Sequence, residues 1–482
     1  MGLDRFESSL NNWIDDEKVA LEFVSLLGTL FLDRNVELIL FRSQLIDRSA
    51  SVVLYKHSYA VNAVGYALDI RNSLLLAKAI EKADISHARL DIGRLNKEWT
   101  EGKDKYSDPD AFIADKLKDG IGAPPAYVKP RDVVLFGFGR IGRLLLREFI
   151  IQGNGSQLRV RAVVTRSVSD EDIEKRAALI RHDSIHGPFR GNVITDLENK
   201  SIIVNGNVVK MMEGSNPEDI NYEAEGIQNA LLIDNTGIFK DREGLGRHLK
   251  SKGISQVILT APAKGDIPNV VYGINHFDLD IVNENIFSAA SCTTNAIVPT
   301  LHVLENKFGI EKGHIETIHA FTNDQNLTDN YHKKPRRGRS APMNMVITST
   351  GAGGAAAKAI PSLAGKLTAN AVRVPIPNVS LALLSLTFAK TTSKKEVDTT
   401  MKDAALYGNL VEQIRYSASN ESVSTDFIGD PVAGIYDAPS TQVSADGKSV
   451  VIYLWYDNEF GYTIQVIRLA KHVAGVKRYS YY

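Results

Sequence analysis

The chain has 482 residues, which is enough for about three domains of ordinary size and too many for a single small module. Hydrophobic residues make up 44% and charged residues 23%, and 56 Lys and Arg nearly balance 57 Asp and Glu. This composition is typical of a soluble globular protein, and the net charge of −1 lacks the overall basic character of most nucleic-acid and membrane-surface binders. We therefore expect a small molecule as the partner.

The amino-terminal segment predicts neither export nor membrane insertion. Its first nine residues are mostly polar and include two acids, unlike the basic start of a signal peptide. The longest apolar run, residues 23–32, has ten residues, whereas a membrane span needs about 20. A single Cys excludes an internal disulfide framework and a multi-Cys zinc site, so we expect a reducing, cytoplasmic location and no metal.

Residues 1–127 are predicted to form an all-α extension. The first proline is Pro109, and apolar residues recur at helical spacing in two stretches: Trp13, Val19, Phe23, Leu26, Leu27 and Leu30, then Leu74, Leu75, Leu76, Ala79 and Ile80. Glycine and prolines at 122–130 predict a boundary near 125–130. Beyond it, β-branched runs at 133–136, 160–164, 230–233 and 257–259 alternate with helical patterns, which predicts an α/β fold with a parallel sheet.

A glycine-rich turn follows the first of these strands. Gly137, Gly139 and Gly142 form G-x-G-x-x-G before an amphipathic helix. Glycines tighten such a turn and let a pyrophosphate approach the backbone, while the helix N-terminus supplies N–H donors. A bare G-x-G-x-x-G is often only a loop, but the strand before it and the helix after it favour a dinucleotide site.

The end of the second predicted strand bears on the choice of cofactor. NAD sites usually carry an acid there, whereas this chain has Arg166 followed by Ser167. A guanidinium at this point suits the 2′-phosphate of NADP. In the alternative interpretation, Arg166 points to solvent and Asp170 or Glu171 provides the acid.

The only cysteine is a candidate nucleophile. Thr293, Thr294 and Asn295 are helix-capping residue types, which predicts that Cys292 lies at a helix N-terminus, where the dipole favours a thiolate. His319, on a predicted strand that ends in a polar loop, is a candidate proton acceptor. Taken alone, however, a cysteine is more often a small buried hydrophobic residue.

Five segments match one enzyme family in order along the chain. They are 288–300 around Cys292, 316–325 around His319, 349–352, 366–380 and 455–462. Together they closely resemble phosphorylating glyceraldehyde-3-phosphate dehydrogenase, over about Asp132 to Arg478. The first 125 or so residues lie outside the resemblance.

The resemblance implies a complete domain organisation. A Rossmann dinucleotide-binding domain is expected over 128–291, completed by a C-terminal helix over 459–482, with an α+β catalytic domain over 292–458. It also implies a mechanism in which Cys292 attacks the aldehyde and His319 lowers the thiol pKa by pairing, then takes the hydroxyl proton. The resulting thioacyl enzyme is cleaved by inorganic phosphate to an acyl phosphate.

The resemblance further implies roles for residues that match the family motifs. The substrate phosphate is expected at Thr322, Asp324 and Arg373. The attacking phosphate is expected at Ser291, Thr293, Arg337, Thr350 and Gly351. The nicotinamide carboxamide is expected at Asn458, and other cofactor contacts are expected at Arg140, Ile141 and Thr260.

A basic segment and several differences from the family pattern bear on the expected partners and cofactor. Residues 333–339 carry five positive charges without interleaved aromatics, so nucleic-acid binding is not expected, and the family implies that this loop lines a neighbour's cofactor pocket in a homotetramer. Family members that prefer NAD carry Asn-Asp where this chain has Thr165-Arg166, and Leu and Pro where it has Asn330 and Tyr331. Residues 213–217 also lack an Arg that the family usually places near the adenine. These changes predict NADP or dual use of NAD and NADP.

Two alternatives to this function remain at the level of sequence. Erythrose-4-phosphate dehydrogenase shares the thiol and the base, although residues 183–187 resemble the phosphate-transferring type. The appended helices also raise the possibility of a dinucleotide-sensing regulatory protein.

Overall fold

The computed structural model describes residues 2–123, 130–153 and 155–482. The chain divides into two compact units: the first comprises residues 1–128 and 477–482, and the second comprises residues 129–476. The boundary predicted near 125–130 falls largely on residues 124–129, which lie outside the described residues. Within the described residues, no helix is both long enough and apolar enough to span a bilayer.

The first unit contains the helices that the sequence predicts. Side-chain caps start four of them, because Ser49, Asp69, Asp91 and Asp108 each accept a hydrogen bond from a first-turn amide. Phe23, in the second half of the first helix, is fully buried, whereas Trp13 is 47% exposed, so the predicted apolar face does not extend to it. The helices are α1 Gly2–Arg34, α2 Ala50–Tyr59, α3 Val61–Val64, α4 Ile70–Lys82, α5 Ile92–Gly102 and α6 Pro109–Lys116.

The expectation that this extension is all-α is wrong. It also contains β1 Val36–Leu40, β2 Ser43–Gln44 and β3 Ala88–Asp91, with β1 parallel to β3 and antiparallel to β2. All five residues of β1, four of them apolar, are buried, and a short apolar segment of this kind cannot be assigned to a strand or a buried helix by periodicity alone. The turn between β1 and β2 uses Phe41 and Arg42, both with positive φ.

The second unit begins with an eight-stranded sheet in the order β13-β12-β11-β4-β5-β10-β9-β8. Its strands β4, β5 and β10 to β13 pair in parallel, as the alternating sequence pattern predicts. The elements are β4 Arg131–Phe136, α7 Arg140–Gly153, β5 Leu158–Thr165, α8 Asp170–Arg181, β6 His182–Asp183, β7 Gly187–Pro188, β8 Val193–Asp196, β9 Ser201–Val204, β10 Asn207–Glu213, β11 Ala230–Asp234, α9 Arg242–Gly246, β12 Ile254–Leu259 and β13 Ile286–Ser288.

A second, mixed sheet follows in the order β15-β16-β14-β17-β21-β19-β18, with β20 beside β21. Its core is shared with α10, whose buried residues pack against those of β14, β17 and β21. The elements are α10 Cys292–Phe308, β14 Ile310–Ala320, β15 Val346–Ser349, α11 Ala352–Ala359, β16 Leu367–Val374, β17 Ser380–Phe388, α12 Lys394–Leu406, β18 Ile414–Ser417, β19 Gly434–Asp437, β20 Gln442–Val443 and β21 Ser449–Tyr456. The fold class is confirmed apart from the strands of the extension.

The end of the chain differs from the single helix predicted over 459–482. Helix α13, Phe460–Val473, packs into the core of the first eight-stranded sheet together with α7. It is followed by the strand β22, Tyr479–Tyr481, which pairs in parallel with β3. The sheet of the first unit therefore has the order β2-β1-β3-β22.

Candidate active site

Cys292 is the first residue of α10. Ser291 caps this helix, because its hydroxyl oxygen accepts a 3.0 Å hydrogen bond from the Thr294 amide. The Asn295 side chain donates to the Ala289 carbonyl at 2.8 Å and to the Ser291 carbonyl at 3.0 Å, which fixes the chain where it enters the helix. Cys292 is thus held at the positive end of a 17-residue helix, partly exposed, where the two cores of the second unit meet.

His319 lies near the end of β14, and its Nε2 is 3.5 Å from the Cys292 Sγ. Its Nδ1 is 2.7 Å from the Ala320 carbonyl oxygen and 2.5 Å from the Arg373 Nη1. Arg373 is the direct partner of His319 in the parallel pairing of β14 with β16, so the sheet register brings the guanidinium to the imidazole. The structure thus brings together the predicted nucleophile, base and one predicted phosphate ligand.

Burial controls the protonation of this pair. Burial, reinforced by the charge of Arg373, lowers the pKa of His319 to about 3, so the imidazole is neutral at pH 7. Burial also raises the pKa of the Cys292 thiol, and Arg373 opposes that shift only in part. The expectation that His319 lowers the thiol pKa by pairing stays a prediction. Here a neutral thiol faces a neutral proton acceptor.

Tyr456 supports both members of the pair, although the sequence analysis did not select it. Its buried hydroxyl lies 3.0 Å from the Thr293 Oγ1 and 2.6 Å from the Thr317 Oγ1. Its ring stands edge-on to the His319 ring at a centroid distance of 6.0 Å. One side chain at the end of β21 thus holds the first turn of α10 against β14.

Ser380 is a second residue that the sequence analysis missed. Its buried hydroxyl accepts a 3.1 Å hydrogen bond from the Ala320 amide and donates one of 2.8 Å to the Asn458 Oδ1. It therefore joins the strand that carries His319 to the residue expected at the carboxamide. A serine beside Val379 in a strand-start motif has many possible roles, so the sequence carried no specific signal for this one.

The expected anion ligands form two groups. Thr322 donates to Asp324, and Arg337 pairs with Asp324 at 2.5 Å and donates to the Thr348 hydroxyl at 3.2 Å. Burial alone would raise the pKa of Asp324, but the bond from Thr322 and the charge of Arg337 hold it below its ordinary value. Arg337, expected at the attacking phosphate, thus contacts the group expected at the substrate phosphate.

The second group lies at a helix N-terminus. Gly351 precedes α11, and the Thr350 hydroxyl accepts a 3.3 Å hydrogen bond from the Ala352 amide. Helix α11 packs against α10, which starts at Cys292 and has Ser291 as its cap and Thr293 in its first turn. Hydroxyls and amides at helix starts such as these are suitable phosphate donors.

The glycine turn fits a dinucleotide. Gly137 has φ +91°, and a Cβ on Gly142 would lie 2.6 Å from the Gly137 carbonyl oxygen. A Cβ on Gly139, in contrast, would meet nothing within 4 Å, which leaves open space above the turn. Thr260, at the end of β12, donates to the Asn235 Oδ1 at 3.2 Å, and Asn235 donates to the Gly137 carbonyl at 3.4 Å. The turn therefore opens beside the carboxyl ends of neighbouring parallel strands, where nucleotides bind.

Two expected cofactor residues contact other protein groups. Arg140 starts α7, and its Nη2 pairs with Glu459 at 2.5 Å and with Asp183 at 3.2 Å. Ile141 packs against the core of the eight-stranded sheet. Both residues therefore fix the first turn of α7, whose amides point toward the glycine turn.

Arg166 is exposed directly after β5. The neighbouring acids are engaged: Asp170 pairs with Lys200 at 2.5 Å, and Glu171 pairs with Lys175 at 2.7 Å. The neighbouring Ser167 donates to Asp172, a carboxylate that also accepts from the Ser169 hydroxyl. Arg166 is thus an exposed cation close in sequence to two exposed acids, since the Asp170 and Glu171 side chains remain 62% and 77% exposed in their ion pairs.

Comparison with known proteins agrees with this geometry. The family model for the NAD binding domain of glyceraldehyde 3-phosphate dehydrogenase matches residues 131–242, and that for its C-terminal domain matches residues 291–458. A glyceraldehyde-3-phosphate dehydrogenase-like protein of Pseudomonas aeruginosa is 46% identical over 457 residues, covering 94% of this chain and 98% of the relative.

Other relatives match a smaller share of the chain. Chloroplastic glyceraldehyde-3-phosphate dehydrogenase A of Zea mays is 42% identical, covering 70% of this chain and 81% of the relative. The glyceraldehyde-3-phosphate dehydrogenase of Priestia megaterium is 37% identical, covering 70% of this chain and 96% of the relative. The match to the NAD-binding domain supports a nicotinamide dinucleotide cofactor at the glycine turn. The resemblance seen in the sequence is confirmed: this chain belongs to the glyceraldehyde-3-phosphate dehydrogenase family.

Proposed function

We propose that this protein is an NAD(P)-dependent, phosphorylating dehydrogenase that reversibly converts D-glyceraldehyde 3-phosphate to 1,3-bisphosphoglycerate. The observation that carries the proposal is the 3.5 Å approach of the Cys292 Sγ to the His319 Nε2 at the start of α10. A bound nicotinamide dinucleotide supplies the ring that accepts a hydride. The remaining steps belong to side chains of this chain.

The pair of neutral groups can carry each proton transfer. Cys292 attacks the aldehyde carbon, and its proton passes through His319 to the carbonyl oxygen, giving a hemithioacetal. As the hydride leaves that carbon, His319 takes the hydroxyl proton and the carbonyl re-forms as a thioester. Inorganic phosphate then attacks the thioester, and Cys292 leaves as a thiolate that recovers a proton from His319. The low pKa of His319 keeps its imidazole unprotonated at pH 7.

The charged groups around the pair support two phosphate positions. Arg373 lies against His319, so a substrate phosphate held there by Arg373 and Thr322, with Asp324 orienting the Thr322 hydroxyl, would bring a nearby aldehyde to the Cys292 sulfur. The attacking phosphate is assigned to the donors at the starts of α10 and α11, namely Ser291, Thr293, Thr350 and Gly351, with Arg337. Asn458 would hold the carboxamide.

We further infer that the cofactor is NADP, or that NAD and NADP are both used. The exposed Arg166 after β5 is the supporting observation, because it would bind a 2′-phosphate through charge-assisted hydrogen bonds. In the alternative, Asp170 or Glu171 exchanges its exposed ion pair with a lysine for the ribose hydroxyls.

A homotetramer in the cytoplasm is part of the same proposal. The loop after β14 and the strand β15 expose a set of large apolar side chains: Leu327, Tyr331, Met343, Met345 and Ile347. Several large exposed apolar side chains within one segment favour association with further copies of the chain. The need for a reduced Cys292 favours a reducing compartment. Sedimentation equilibrium of the full chain tests the tetramer.

Steady-state assays test the reaction. Glyceraldehyde 3-phosphate and erythrose 4-phosphate are each supplied with NAD or NADP, with and without inorganic phosphate. We expect the higher kcat/KM for glyceraldehyde 3-phosphate and a strict requirement for phosphate. Turnover that is indifferent to phosphate, or that prefers erythrose 4-phosphate, contradicts the proposal. Cofactor binding without any turnover would favour a dinucleotide-sensing regulatory protein.

A further inference from the structure

The edge strand of the first unit comes from the far end of the sequence. Strand β22 pairs in parallel with β3, in a register that sets Tyr479 opposite Ala88 and Tyr481 opposite Leu90. It contains only three residues, and β3 already pairs on its other side with β1. The segment 477–482, called the tail below, therefore occupies an edge that the remainder of the first unit leaves open.

Side chains of the tail are held individually. The Tyr481 hydroxyl donates to the Glu98 Oε2 at 2.7 Å, and the Arg94 guanidinium lies 4.5 Å from the centre of the Tyr481 ring. At the other end, Arg478 pairs at 2.8 Å with Glu37, a carboxylate that is only 6% exposed. These contacts depend on the side chains of residues 478 and 481 of the tail.

The ring of Tyr479 fills a space that a glycine provides. A Cβ added to Gly120 would lie 2.5 Å from the Tyr479 ring, so this ring sits directly on the backbone at the end of the first unit. Both Tyr479 and Tyr481 pack against the core formed by α1, α4, α5 and the strands. Ser480 between them is exposed, as the alternation of side chains along a strand requires.

Backbone pairing to an open sheet edge, with pockets for alternate side chains, is the way in which folded domains bind extended peptides. We propose that the first unit is a peptide-recognition module whose ligand is an extended Arg-Tyr-x-Tyr strand, and that the tail is this ligand. The tail completes both the sheet and the core of the first unit. The unit thus holds its stable form only while the edge beside β3 is occupied.

A pair of glycine substitutions in the full chain tests the proposal. Gly120→Ala places a methyl group where the Tyr479 ring lies, whereas Gly102→Ala, in the same unit, meets nothing within 4 Å. We expect Gly120→Ala to raise the hydrogen-exchange rates of the β3 amides about tenfold, while Gly102→Ala leaves them unchanged. Equal exchange rates in the two variants would overturn the proposal.

A second experiment supplies the tail as a separate peptide. A chain that ends at residue 476 is titrated with the peptide Lys-Arg-Tyr-Ser-Tyr-Tyr, and protection of the β3 amides is followed. Restored protection is expected, with the peptide carrying Tyr481→Ala binding at least about tenfold more weakly than the peptide carrying Ser480→Ala. Equal affinities of the two variant peptides, or full protection without peptide, would count against it. If the shortened chain does not fold, the comparison of Gly120→Ala with Gly102→Ala in the full chain still tests the proposal.

Discussion

Ser380 donates a 2.8 Å hydrogen bond to Asn458 across the start of β17 and the end of β21. The same hydroxyl accepts from the amide of Ala320, the residue after His319. The proposed base and the residue proposed to hold the carboxamide therefore share one hydroxyl as a common support. A change at Ser380 should disturb the fit of the cofactor relative to the base.

We predict that Ser380→Ala weakens cofactor binding about tenfold, since one buried hydrogen bond to Asn458 is lost. The measurement is the dissociation constant for NAD and NADP by fluorescence titration. Ser385→Ala, an exposed position on the same strand, is the matched control and should leave both constants unchanged. An unchanged constant in Ser380→Ala would show that Asn458 does not depend on this support. Ser380→Thr, which keeps a hydroxyl, should restore part of the affinity.

The second prediction concerns the nucleophile. Cys292→Ala should abolish aldehyde oxidation, because no other thiol exists in the chain to form the thioacyl enzyme. Cofactor affinity should change by less than about twofold, since the glycine turn and Asn458 are untouched. Turnover is followed by reduced-cofactor absorbance and affinity by titration. Residual turnover in the purified variant, after exclusion of wild-type contamination, would contradict the assignment of Cys292.

Local patterns made several parts of this fold predictable. The G-x-G-x-x-G turn lies between a buried strand and a helix in the structure, because glycine φ values and close backbone approach leave little choice of residue at Gly137 and Gly142. The capping residues around Cys292 predicted its place at the start of α10, because a helix cap is formed by residues close together in the sequence. Features fixed by neighbours in the chain can be seen in the sequence.

Features fixed by distant partners could not be predicted. Nothing local in Tyr479–Tyr481 indicates that its partner is β3 at residues 88–91, so the extension was expected to be all-α and the end of the chain a single helix. The hydroxyl of Tyr456 acquires its role only when α10 and β14 pack together. The thiol pKa likewise depends on the burial that tertiary packing imposes, and this outweighs the charge of Arg373 and the hydrogen bonds from Thr293.

The third prediction tests cofactor choice at the end of β5. Arg166→Ala should weaken NADP binding about tenfold or more, because a charge-assisted contact to the 2′-phosphate is lost. NAD binding should stay nearly constant, since NAD has no such phosphate. Lys252→Ala, an exposed cation just before β12 in the same unit, serves as the control for a general loss of charge. If the ratio of the two affinities is the same in wild type and Arg166→Ala, the assignment to NADP is wrong.

The fourth prediction concerns the acid stability of the first unit. His57 is buried, with its Nε2 2.8 Å from the Ser73 Oγ and its Nδ1 2.8 Å from the Val53 carbonyl oxygen. The Ser73 hydroxyl also accepts from the Asn96 side chain at 2.8 Å, so the network is enclosed within the core. Burial lowers the pKa of His57 to about 4.

The unfolded chain, with a histidine pKa of about 6.5, binds a proton between pH 6.5 and 4 that the folded unit does not. The free energy of unfolding should therefore fall as the pH falls through this window, by about 3 kcal/mol in total from His57. Hydrogen exchange of the β1 and β3 amides, corrected for intrinsic rates, measures this loss. In His57→Gln the fall in the free energy of unfolding between pH 6.5 and 4 should largely disappear. The variant should also be less stable than wild type at pH 7. His87→Gln, at a partly exposed position of the same unit, should keep the wild-type slope. Parallel pH curves for wild type and His57→Gln would show that other groups cause the acid sensitivity.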